Sequence, residues 1–561
     1  MSTNKKSFDK SKDIAQDRKD QKVSKGVKGK GRSNRRNSSN TKGKGNSYFR
    51  SGEPERKVSS GPSSSLNDIS WYARNPELLA SAAMLPFPNR PGLTLRMGSY
   101  RRAETGITPV EVTKLFQGVM RLEYDYAFGF SQDVNSPASI CAKELFGIVR
   151  RAFSGSLEED APDLFMYCIA LDQIHAYIAY LKRIYRTINA YSPNNYMFPR
   201  AVFFGQLPAN DASGSGLYES FVSQKVLFWN YINTLVNMAN KFCVPNNMDI
   251  YNRHRWMNEN VYLDNESIMA QCYIFCPKSF FRVIENTSTG TALTAVELPE
   301  TPTPESLYQY GLDMVEALSN WEDAYTINGH IQRAFEGVPF YVAELLGQDE
   351  VLQPQHVEEV LDQIHNASFV NFEQADVMQD PLTNAIIYMP QAEVQQPWRR
   401  MIDLDVMIPT PAAITIATRL TATNDERGYF HCGTEVLTDM WITVPVTDEL
   451  AVKQFMYYHM NPSASLFLMP VGTTSLQATR RKEIYEHIKM YFDVAQWRKA
   501  PILYTGFMEM QGVQPYIVDD NNANLIFFPV GELTNPTVVS GEALADLHRV
   551  CVYSEFNCFG K

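Results

Sequence analysis

Between residues 160 and 190 apolar side chains return every three or four positions. Tyr167, Leu171, Ile174, Ile178, Leu181, Tyr185 and Ile188 mark one helical face held for about six turns. Phe165, Cys168, Ile169 and Ile184 widen that stripe, so the helix is expected to be buried on more than one side. Asp160-Ala161-Pro162 opens it and Ser192-Pro193 closes it. The same punctuation predicts helices elsewhere. Asn75-Pro76-Glu77 precedes LLASAAML, Thr108-Pro109-Val110-Glu111 leads into VTKLFQGVM, and Ser136-Pro137 starts ASICAKELFGIVRRAF. LYESFVSQKVLFWNYINTLVNMANKFC, after the loop Ala209 to Gly216, reads as a second long helix. TPTPE at Thr301 to Glu305 caps another through Leu318, and Asn320 to Phe335 gives one more. Helices of about 27 residues would be about 40 Å long, which suits a plate or bundle.

Near Asn366 the period changes. AIIYM, AAITIATRLTATN, YFHCG, MWITVPV and ASLFLMP are short, β-branched and aromatic, divided by Asp, Asn, Gly and Pro, and predict strands. Helical pattern returns near Ala478 to Phe492 and at Ser540 to His548, with strands APILYTGF and NANLIFFPVG between them. The expected fold class is α+β. Its divisions are a low-complexity segment over 1–65, a mainly helical part over 66–365, a β-rich part over 366–472 and a mixed part over 473–561.

Charge divides the chain more sharply than periodicity does. Residues 1–60 hold 18 Lys/Arg against 6 Asp/Glu, a net of +12; with 52 basic and 62 acidic residues in all, the remainder holds 34 against 56, or −22. Lys25, Lys28, Lys30, Arg32, Arg35, Arg36, Lys42 and Lys44 recur every one to six residues among Gly, Ser and Asn. Such a segment buries too little apolar area to offset its ordering entropy, so disorder in the free state is expected. Spaced cations suit a phosphate backbone, because each neutralised phosphate releases counterion without any reading of sequence. A localisation signal and a solubilising tail are the competing readings. No run of about 18 apolar residues predicts a membrane span, and no apolar h-region marks a secretory signal.

The residues that carry chemistry form no constellation. The nine histidines include no HExxH pair, and neither a Walker A loop nor GxSxG occurs. His431 and Cys432 adjoin, but neighbours on a strand point to opposite faces. Of the eight cysteines no pair has CxxC spacing, and buried free thiols are expected. Cys272 and Cys276 fall at an even offset on a predicted strand, too far apart for one zinc ion. Glu158-Glu159-Asp160 favours the positive end of the helix that follows. No catalytic residue, metal or cofactor is therefore expected. Arg253, Arg255 and Trp256 combine charge with a stacking ring and are the candidate contact with RNA or a neighbouring subunit.

Three segments carry a family resemblance. WYARNPELLASAAMLPFPNRPG (Trp71 to Gly92), SPASICAKELFGIVRRAFSGSLEEDAPDLFMY (Ser136 to Tyr167) and EALADLHRVCVYSEF (Glu542 to Phe556) resemble, in that order, stretches of picobirnavirus capsid proteins. The resemblance implies a structural protein that self-assembles as symmetric dimers into a small icosahedral shell. It implies a helical shell domain, a protruding domain, and a C-terminal part that returns to the shell. The basic segment becomes an arm that packages double-stranded RNA non-specifically. The implied partners are the chain itself, viral double-stranded RNA, a polymerase inside the particle and a host membrane during infection. The implied location is the virion, assembled in the host cytoplasm. An RNA-coating nucleoprotein without a closed shell is the alternative.

Overall fold

The computed structural model describes Ser99 to Cys558 apart from residues 104–105, 111–118, 191–197, 208–215, 264–271, 287–289, 395–399, 404–409, 449–450, 460–501, 512–513, 518–524 and 531–535. The chain divides into two units, Met1–Arg56 and Lys57–Lys561, and every described residue lies in the second. The basic arm residues, the expected helices over 75–85 and 478–492 and the expected strand ASLFLMP lie outside the described residues.

In chain order the helices are α1 (Pro137–Ala152), α2 (Ala161–Asn189), α3 (Phe198–Gln206), α4 (Leu217–Ser223), α5 (Lys225–Ala239) and α6 (Ile250–Glu259). They continue with α7 (Pro304–Asn320), α8 (Ala324–Ala334), α9 (Glu358–His365), α10 (Pro411–Ala417) and α11 (Gly541–Glu555). The fold is α+β, as expected. α2 is its axis. The Asp163 carboxylate accepts from the Asp160 backbone N–H at 2.9 Å, Pro162 occupies the first turn, and the helix stops just before Ser192-Pro193. It is long and apolar enough to cross a membrane, yet its most apolar stretch is wholly buried, which makes it a core helix. α7 approaches closely through Gly311: a Cβ there would sit 2.7 Å from Leu235 and 2.8 Å from Tyr177.

Two sheets flank the helices. In a six-stranded sheet, β1 (Val119–Tyr126) pairs in parallel with β3 (Cys272–Pro277) and antiparallel with β9 (Glu435–Asp448). β10 (Ala451–His459) forms one edge beyond β9, and β2 (Tyr262–Leu263) and β6 (Gln355–His356) extend the sheet beyond β3. β4 (Ser279–Asn286), β5 (Gly290–Glu297), β7 (Val377–Gln379) and β8 (Ile386–Ile387) form a four-stranded antiparallel sheet. Along β3, Tyr273 and Phe275 enter the main core while Cys272, Ile274 and Cys276 line a second cluster, the expected alternation. Strands on both sides of residue 366 thus share one sheet.

Several expectations need correction. Thr108 to Val110 belongs to a strand, Gly106–Val110, and Val119 and Met120 open β1, so the helix expected from Thr108 through VTKLFQGVM does not form at either end. The segment from Leu217 is not one long helix: it breaks at Gln224 into α4 and α5. AAITIA is helical, because the Thr410 hydroxyl caps Ala413 N–H at 3.2 Å and Pro411 presets the first turn, overriding β-branched propensity. Cys141 and Cys558 are not free thiols but form a disulfide; 417 positions apart in sequence, they come to a Cα–Cα distance of 5.3 Å. Cys168, Cys243, Cys272, Cys276, Cys432 and Cys551 are free.

Candidate functional site: a buried ionic core

α6 presents a polar stripe to the interior. Arg253, His254 and Asn258 are buried beside Trp256 and Met257, since the 3.6-residue period turns all of them toward α2 and the sheet. Arg253 donates to Glu435 Oε1 from Nε at 2.8 Å and from Nη2 at 2.5 Å, and to Gln363 Oε1 at 2.9 Å, and its guanidinium lies 4.8 Å from the Trp256 ring. The other Glu435 oxygen accepts from Arg419 at 3.2 Å and from the Thr434 hydroxyl at 2.5 Å. Arg419 also pairs with Glu555 of α11. His254 Nδ1 meets Asp172 of α2 at 2.5 Å, and its Nε2 lies 3.8 Å from Glu435. Three cations and three carboxylates thereby join α2, α6, the segment after α10, β9 and α11.

Electrostatics follow from this arrangement. Burial opposes the charge of Glu435, but Arg253 and Arg419 hold its carboxyl well below the usual range. Burial likewise opposes a charged His254, yet Asp172 raises its pKa to about 9. Burial, partly offset by Arg419, raises Glu555. Gly433 is required beside this cluster, because a Cβ there would overlap the Arg419 guanidinium. A further buried cation, Arg183 of α2, is solvated by neutral groups: Gln206 Oε1 at 3.0 Å and the carbonyls of Phe275 at 2.9 Å and Met257 at 3.2 Å.

Of the residues expected to contact RNA or a neighbouring subunit, Arg253 and Trp256 lie inside the fold, engaged by Glu435 and by Tyr262 and Phe275, while Arg255 retains partial exposure near Glu259. His431 and Cys432 diverge as expected: His431 turns to Asp425 at 3.2 Å, while Cys432 is buried and its thiol is pushed up to about 12. Among the described residues no cluster of three metal-ligating side chains occurs. Sequence reading missed Asp172, Glu435, Arg419 and Glu555. Their signal was one of polarity: an Arg-His pair in an otherwise core-facing stripe requires carboxylates from elsewhere in the chain.

Residues 71–390 match the family model described as picobirnavirus capsid protein. The capsid protein precursor of a human picobirnavirus (strain Human/Thailand/Hy005102/-) is 26% identical over 572 residues, spanning 93% of this chain and 97% of the relative. The crystal structure of the picobirnavirus capsid aligns with a TM-score of 0.60 at 20% identity, over 88% of this chain and 99% of that one.

Proposed function

The chain belongs to the picobirnavirus capsid protein family, and we propose that it assembles as symmetric dimers into a small icosahedral shell and packages double-stranded RNA non-specifically through its basic N-terminal residues. The observation that carries the shell reading is the family match across 71–390, joined to a capsid-like fold over most of the chain. The charge partition supports the packaging role: +12 over 1–60 (18 − 6) against −22 over the rest (34 − 56). In this reading Lys25, Lys28, Lys30, Arg32, Arg35, Arg36, Lys42 and Lys44 meet phosphates, and the protein is structural rather than catalytic.

The shell part comprises 66–365 with the return of 473–561, a return favoured by the burial of α11 in the main core. The protruding part lies within 366–472, of which β9 pairs with β1 over Glu435 to Thr443. The virion is its location, assembled in the host cytoplasm around genome and polymerase, and a host membrane is met during infection.

Electron microscopy of the chain expressed alone tests the shell: uniform closed particles are expected, and RNA-dependent filaments would favour a nucleoprotein instead. Replacing the eight named cations by Gln should leave particles intact while lowering packaged RNA severalfold. Unchanged RNA content would overturn the role given to them.

A further inference from the structure

Exposed large apolar side chains fall mostly on a few elements. Of the nine large ones exposed among the described residues, all but Leu382 and Met389 lie on α4 and α5, at the start of α8, or on the irregular segment 338–354. Val226 is 65% exposed, Val342 61% and Leu345 59%, and Val222, Val351 and Tyr325 are exposed as well. The three side chains that the strap and α5 bring together, Val226, Val342 and Leu345, leave on the order of 300 Å² accessible, the size of the largest apolar patch on an ordinary monomer.

The segment 338–354 is a strap rather than a loose loop. It runs antiparallel to α5 and then crosses the end of α2, with its backbone bonded by helix side chains. Asn240 holds Ala343 through both N–H (3.0 Å) and C=O (2.9 Å), and Asn233 holds Leu346 likewise (2.8 and 3.1 Å). Trp229 donates to the Leu346 carbonyl at 2.7 Å. From α2, Lys182 donates to the Glu344 carbonyl at 2.5 Å and Tyr185 to that of Gln348 at 2.8 Å, while Leu352 N–H returns to Arg186 O at 3.0 Å. With backbone polarity met from below, Tyr341 and Leu346 point inward and Val342 and Leu345 outward. Val226 is three residues before Trp229 and seven before Asn233, so it flanks the strap on the same side of α5. A fixed backbone presenting aliphatic side chains is pre-organised for docking, because little ordering entropy remains to be lost.

We propose that this strap-and-α5 face is a subunit–subunit contact, covered in the shell by a second copy of this chain. The inference rests on the shell reading above: in a closed shell each copy is bordered by others, and exposed aliphatic side chains on a rigid backbone suit such a border.

The test compares hydrogen exchange of wild-type full-length protein as free subunits and as particles. Peptides covering 222–230 and 340–352 should gain at least tenfold protection on assembly. Exchange in both peptides that is the same in particles as in free subunits would overturn the proposal. In parallel, V226D/L345D in the full chain should fold as wild type by circular dichroism and melting temperature, since both sites are exposed, yet lower particle yield at least tenfold. Wild-type yield from the variant would overturn the proposal. So would normal assembly combined with lost binding to phosphatidylserine vesicles, which would assign the face to a membrane. Should the wild type itself fail to form particles by electron microscopy, the shell reading falls and takes this inference with it.

Discussion

His175 sits in the middle of α2 with the Tyr341 ring at 4.8 Å and the Tyr251 ring at 6.3 Å, and neither ring nitrogen has a hydrogen-bond partner among the described residues. Burial, reinforced by the Lys182 and Arg255 charges, lowers its pKa to about 3. The unfolded chain takes up this proton near pH 6.5 and the fold resists it. The contribution of His175 is therefore complete above pH 6.5 and is lost steadily as pH falls toward 3, amounting to about 2 kcal/mol by pH 5. H175L should flatten the stability profile between pH 6.5 and 5 by about that amount, read from urea midpoints at matched pH; parallel profiles would refute it. His254 has the opposite sign. Raised to about 9, its contribution is whole below pH 6.5 and lost as pH rises through 9. Around it, removing one charge strands others: E435Q leaves Arg253 and Arg419 short of their shared carboxylate and should cost about 3–5 kcal/mol. G433A should cost about 1–3 kcal/mol, because Glu555, Glu435 and Thr434 prevent Arg419 from yielding. Equilibrium denaturation measures both.

At the scale of elements, what could be read from sequence was what is locally signalled. α1, α2 and α7 each begin with a cap residue and an early proline, and each forms where those residues predict. Apart from α10, whose Thr410-Pro411 start was itself a local signal, the errors came from non-local forces. β4 and β5 lie in a stretch read as mostly helical because their pairing, Ser279 with Glu297 through Asn286 with Gly290, is decided against each other and against α2. Arg253 looked like a surface cation because its carboxylate partner is 182 positions away. The disulfide hid for the same reason. α11 enters the main core through Phe556, 4.5 Å from Phe165, and is tied by Glu555 and by Cys558 to Cys141 of α1. C558S should lower stability by about 2–4 kcal/mol and speed hydrogen exchange in α11 ahead of α2. A reductant should reproduce the effect in the wild type and leave C558S unchanged.

For the whole molecule, the decisive quantity is where charge lies along the chain. A body with 56 acidic and 34 basic residues repels polyanions on average, so the proposed packaging role assigns duplex affinity to the first sixty residues, whose net charge is +12. That affinity depends on salt through the number of counterions released, with log K falling by roughly 0.9 per phosphate neutralised on a duplex. Replacing Lys25, Lys28, Lys30, Arg32, Arg35, Arg36, Lys42 and Lys44 by Gln lowers the net charge of this segment from +12 to +4 (12 − 8). In the full chain the salt slope for duplex RNA should therefore become shallower by several units, up to about 7 if each cation meets one phosphate. Fluorescence anisotropy against duplexes of unrelated sequence measures it. The change should be the same for every sequence, since a deep, narrow groove presents little for these cations to read. A slope that stays steep after all eight replacements would move the RNA contact off this segment and onto the acidic body.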